Sequence, residues 1–95
     1  MSAYVIVDID IHDADTYARY RDLAPPSIAA YGGRYLARGG ETDTLEGEWR
    51  PERLVILEFP DMNAARAWWA SPEYAEAKAL RHASSHSEML LVQGL

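Results

Sequence analysis

Residues 53–60 read Arg53-Leu54-Val55-Ile56-Leu57-Glu58-Phe59-Pro60, a run that is apolar on both sides when extended. Side chains alternate across a strand, so Val55, Leu57 and Phe59 point one way and Leu54, Ile56 and Glu58 the other. Residues 3–11 repeat the pattern, with Val5, Val7 and Ile9 opposing Tyr4, Ile6, Asp8 and Asp10. The chain has 95 residues, one domain spanning 1–95, with enough helix to cover one face of a sheet and not two. A second copy of the protein is therefore expected on the other face, with the carboxylates at or near that interface.

Working outward, Asp13 or Asp15 is placed to cap a helix. Its apolar positions Tyr17, Tyr20, Ala24, Ile28 and Tyr31 fall at helical spacing. Pro25-Pro26 lies inside it and predicts a kink or two short helices, because a proline removes a backbone donor and crowds the preceding turn. Gly32-Gly33 ends the element. Arg34 to Arg38 reads as the second strand. A long connection through Trp49 to Pro51 follows, with Thr42 to Glu46 as a possible small extra strand. After the strand at 54–59, Asp61 caps a helix carrying Ala65, Trp68 and Trp69. Ser71-Pro72-Glu73 restarts one that runs to Leu80 or His82: a serine cap, a proline at the first position and an acid near the positive end. Met89 to Val92 closes the chain as the last strand, with Leu90 and Val92 on one face and Met89 and Leu91 on the other.

The order is β-α-β-β-α-β, an α+β ferredoxin-like pattern. Right-handed crossovers put the first and third strands at the centre of a four-stranded antiparallel sheet, the fourth and second at its edges and the helices on one face. Val5, Val7, Ile9, Val55, Leu57 and Phe59 are expected to meet the helices. Tyr4, Ile6, Leu36, Leu54 and Ile56 are left for the other face. Leaving such a face in water costs about 25 cal/mol per Å² of apolar area, which a two-fold dimer removes.

Composition excludes several functions. The formal charge is −6, with 9 basic against 15 acidic side chains and one lysine, Lys78. Nucleic-acid binding needs clustered cations, so neither it nor an anionic membrane surface is an expected partner. The absence of cysteine removes disulfide and thiolate chemistry and fits a reducing compartment. No basic segment leads into an apolar signal core, so the expected location is cytoplasmic. Neither Gly32-Gly33 nor Gly39-Gly40 has the spacing or lysine of a phosphate loop, and there is no Gly-x-Ser-x-Gly elbow. His82 and His86 share a helical spacing but lack a third ligand, so no metal site is expected and no cofactor is called for.

Three stretches carry a family resemblance: Gly32-Gly33-Arg34-Tyr35-Leu36-Ala37-Arg38-Gly39-Gly40, Glu46-Gly47-Glu48-Trp49-Arg50-Pro51-Glu52-Arg53-Leu54, and Ser71-Pro72-Glu73-Tyr74. Together they resemble domain-of-unknown-function family 1330 (DUF1330), small proteins of the dimeric α/β-barrel superfamily. The resemblance covers nearly the whole chain. It implies the ferredoxin-like fold and the homodimer, and it implies no reaction. Trp69 stands where the family often has tyrosine, so a role that depends on a phenol there does not carry over.

The residues with chemistry to offer are few. Asp8 and Glu58 are expected to be neighbours on the open face, with Arg38 and Arg34 on the flanking strand. One reading makes Asp8 or Glu58 a general acid or base and Arg38 the holder of an anionic small molecule. The other makes them a structural ion-pair network at the dimer interface. Trp49, on its long loop, closes a pocket or fills a groove on the partner. Trp68, Trp69, Tyr17 and Tyr20 sit at core spacing, and Tyr20 and Tyr74 are the tyrosines whose hydroxyls can reach a ligand. The competing functional classes are a cofactor-free acid–base enzyme or binding protein, and a non-enzymatic structural or sensing dimer.

Overall fold

The computed structural model describes residues 1–95. Its elements follow the order β1 (Ala3–Ile11), α1 (Ala14–Ala30), β2 (Arg34–Arg38), β3 (Leu54–Phe59), α2 (Met62–Trp69), α3 (Pro72–Ser84) and β4 (Ser85–Gln93). The four strands form one antiparallel sheet in the order β2-β3-β1-β4, with the apolar central pair expected from sequence. Val5, Val7, Ile9, Val55, Leu57 and Phe59 are buried beneath the helices, joined by Tyr17, Tyr20, Ala24 and Ile28 of α1, Trp68 of α2 and Tyr74 of α3. Tyr4, Ile6, Leu54 and Ile56 are only partly covered, since no helix reaches that face. No helix is long and apolar enough to cross a membrane.

The caps are those the sequence encodes. Asp13 accepts from the Thr16 amide, Asp61 from the Ala64 amide and Ser71 from the Tyr74 amide. Several elements depart from the sequence reading. Helix α1 runs unbroken through Pro25 and Pro26. A proline at 25 frees the carbonyl four residues earlier, at Arg21, and the Arg38 guanidinium donates to that oxygen at 3.3 Å. Residues 42–46 form no strand: they remain irregular, and the Thr44 hydroxyl donates to the Trp49 carbonyl at 2.6 Å to close the loop. Helix α3 continues to Ser84 and passes directly into β4, which begins four residues earlier than Met89. The polar residues Ser85 to Glu88 hide that strand in the sequence, yet they pair with Asp8 to Ile11 of β1.

Candidate functional site

Register separates the two carboxylates that the sequence suggests are neighbours. Asp8 pairs with Leu54, whereas Glu58 pairs with Tyr4, four residues away along β1. At the usual rise this is roughly 14 Å along the strand. Glu58 accepts from Arg34 Nε at 2.7 Å, and that hydrogen bond holds its carboxyl below the usual carboxylate range. Asp8 is occupied at the other end: it accepts from Trp49 Nε1 at 3.0 Å and from the Glu52 amide at 3.2 Å. Trp49 thus pins the 39–53 loop to the sheet with its ring 60% exposed.

Arg38 does not join Arg34. Between Tyr35 and Ala37 the pairing of β2 with β3 shifts, so Tyr35 opposes Leu57, Ala37 opposes Ile56 and Arg38 opposes Val55. One extra residue in a strand reverses the alternation beyond it. Arg38 consequently lies on the helix side, over the Tyr35 ring at 4.5 Å, and Leu36 is the unpaired extra residue. The grouping of Asp8, Glu58 and Arg38 expected from sequence does not form within the subunit.

A different group does form, under the helices. Tyr20 and Tyr74, singled out in the sequence, meet hydroxyl to hydroxyl at 3.1 Å. Arg81 Nε donates to the Tyr74 hydroxyl at 3.3 Å, its Nη1 donates to Ser87 Oγ, and its Nη2 lies 3.3 Å from His82 Nε2. Burial and the neighbouring Tyr74 push the Tyr20 hydroxyl far above its ordinary value, so it stays protonated. Arg81 is 3% exposed and makes no ion pair; the molecule's one salt bridge joins Arg34 to Glu58. A buried charge is ordinarily paired. This one is met only by neutral oxygens and an imidazole.

The guanidinium faces a cavity of about 380 Å³ between α2, α3 and the β1–β4 side of the sheet. Val5, Ala65, Trp68, Trp69, Met89 and Leu91 give it an apolar lining, and Arg66, Arg81, His82 and Ser87 supply its polar groups. None of the 15 acidic residues lines it. Trp68 is fully buried, stacked on Tyr74 at 4.1 Å, and donates Nε1 to Ser27 Oγ at 3.1 Å, so that wall is rigid. Lys78 lies 3.8 Å from the Trp69 ring centre and donates to the Trp69 carbonyl, adding a cation near the rim. The volume falls within the usual range of about 300–1,000 Å³ for small-molecule sites.

Sequence reasoning passed over Arg81 and Ser87 and weighed His82 only as a metal ligand. A signal for Arg81 was present: Tyr74, Ala77, Arg81 and Ser84 follow a 3-4-3 spacing, and all four are buried. An arginine on the apolar stripe of a helix is a buried charge in need of a partner. His82 and His86 do not share a helical face, because α3 stops at Ser84 and His86 sits on β4 opposite Asp10.

The DUF1330 family profile, described as a domain of unknown function, matches residues 2–95. No curated protein matches the chain. Among solved structures, a protein of unknown function from Rhodopseudomonas palustris superposes with a TM-score of 0.80 at 20% identity, covering 99% of this chain and 82% of that one. A dimeric ferredoxin-like protein of unknown function from Jannaschia sp. gives 0.73 at 15% identity, covering 99% and 100%. SnoaB from Streptomyces nogalater, a cofactor-independent oxygenase, gives 0.67 at 16% identity, covering 99% and 93%. These likenesses establish the shared ferredoxin-like fold.

Proposed function

The chain belongs to the DUF1330 family, and we propose that it is a homodimer that binds a small organic anion with a flat apolar body in the cavity beneath α2 and α3. The observation that carries the reading is Arg81: a guanidinium 3% exposed, without a carboxylate, at an apolar cavity with no acidic lining. Arginine's planar fork suits a carboxylate or enolate oxygen pair, and a dry wall strengthens that attraction. Trp69, 47% exposed, offers aromatic surface to the body of the ligand. In a chain of net charge −6, a cationic cavity also selects for the sign of what enters it.

The second copy is proposed to cover the open sheet face, where Tyr4, Ile6, Leu54 and Ile56 lie half-covered. The dimeric state of the similar ferredoxin-like proteins supports this. The engagement of Glu58 with Arg34 and of Asp8 with the Trp49 loop favours a structural role for those charges near that face. Isothermal titration with phenylacetate, against the neutral phenylacetamide, tests the cavity. Phenylacetate is expected to bind and phenylacetamide to bind at least tenfold more weakly. Arg81→Lys, which keeps the charge but loses the fork, should weaken phenylacetate by roughly tenfold, about 1.4 kcal/mol. Equal affinity for the two compounds would sink the anion reading.

A further inference from the structure

His82 stands at the mouth of the cavity with a lone pair turned toward Arg81. An arginine N–H only donates, so at 3.3 Å the His82 Nε2 atom is the acceptor and the ring proton is on Nδ1. A base and a cationic hydrogen-bond donor are thus adjacent at one end of an apolar cavity. Their separation is of the same order as the distance between a carbonyl oxygen and the carbon two bonds away. Chemistry that removes a proton from that carbon needs this juxtaposition: one group to take the proton, another to hold the charge that develops on oxygen.

We propose that the cavity is a proton-transfer site for enolisable aryl 2-oxo acids, with His82 as general base and Arg81 holding the enolate. This rests on the anion-binding reading above. A 2-oxo acid presents carboxylate and keto oxygens on one planar edge, which the forked nitrogens of a guanidinium can meet together. On binding, the substrate's oxygens take the Arg81 Nη2 donor away from His82, and the freed His82 Nε2 lone pair takes a proton from the carbon beside the ketone. The C–H electron pair becomes a C=C bond, and the carbonyl π pair moves to oxygen as an enolate held by Arg81. Return of the proton to oxygen gives the enol, and return to carbon restores the ketone. No oxidant or cofactor enters the balance. The aryl ring lies against the tryptophan lining.

The groups around His82 keep its imidazole neutral. Arg81 and Lys78 share its helix, Arg66 comes from α2 and Ser87 from β4, and no carboxylate lines the cavity. Partial burial first, then repulsion from Arg81 and Lys78, hold the imidazole below its ordinary value of 6.5. The base is therefore unprotonated at neutral pH. The rate is expected to be level at pH 7 and to fall on acidification with a midpoint beneath 6.5.

The test follows deuterium exchange at the benzylic carbon of phenylpyruvate by NMR, with binding read in parallel by tryptophan fluorescence. The wild-type protein is expected to accelerate exchange above the matched buffer rate. His82→Gln, at an exposed position, should lose roughly 10²–10⁴-fold of that acceleration while binding phenylpyruvate within about threefold of wild type. Binding without acceleration, or full exchange in His82→Gln, overturns the proton-transfer assignment and leaves the anion site standing. Failure to bind either phenylpyruvate or phenylacetate removes both. A third variant, Arg81→Lys, should slow exchange more than it weakens phenylacetate binding, because the enolate charge develops only during reaction.

Discussion

Tyr74 holds the buried polar cluster together through one oxygen. Its hydroxyl meets Tyr20 at 3.1 Å and receives Arg81 Nε at 3.3 Å, and the residue is fully buried. Tyr74→Phe keeps the ring that stacks on Trp68 but removes that oxygen. The Tyr20 hydroxyl and the Arg81 Nε–H then lose a partner in a place water reaches poorly. The expected cost is about 1–3 kcal/mol, read as a lower urea midpoint at unchanged slope. An unchanged midpoint would mean the network contributes nothing net. Tyr20 was legible as a core aromatic from its spacing, but its meeting with Tyr74 was not, since 54 positions separate them in the chain.

At the scale of elements, a tight joint lies where α1 turns into β2. A Cβ placed on Gly33 would stand 2.6 Å from Phe59 Cε1 and 2.7 Å from Ile28 Cγ2, inside the contact that seals the end of the core. Gly33→Ala should therefore destabilise by about 1–3 kcal/mol through overpacking, measured by thermal or urea unfolding. A stable Gly33→Ala would show that Phe59 has room to turn. Next to this joint, one of the carbonyls freed by the prolines inside α1 finds a donor. Arg38 supplies a donor to the Arg21 carbonyl that Pro25 leaves free, and it can do so because the β2 bulge turns it toward the helix. The two short helices that Pro25-Pro26 allowed do not form, and the open-face position expected for Arg38 fails because of the bulge.

The whole molecule is a one-sided sandwich with helices on one face of the sheet. Ile6 and Ile56 are paired across β1 and β3 at the middle of the uncovered face. Ile56→Asp places a charge where a second subunit would desolvate it and should convert a dimer to a monomer in sedimentation equilibrium, with little change in the helix signal by circular dichroism. A dimer that survives this substitution would move the interface off the centre of the face, toward the exposed Leu90 and Val92 that edge strand β4 sets beside Ile6 and Tyr4. The cavity opens on the helix side, away from that face, so loss of the dimer should leave phenylacetate binding in place.

The sequence by itself determined the order of elements, the pairing of the central strands, the helix caps and the uncovered apolar face. Each is a local pattern: a period of two, a period of three to four, or a capping residue beside a run. Tertiary structure decided what the charged residues do. Register sets Asp8 and Glu58 at opposite ends of the sheet. A bulge carries Arg38 through to the other side. The direct passage from α3 into β4 brings Ser87 back onto Arg81. Polar contacts of this kind join residues from separate elements, and their geometry turns on single-residue shifts that leave the hydrophobic pattern almost unaltered.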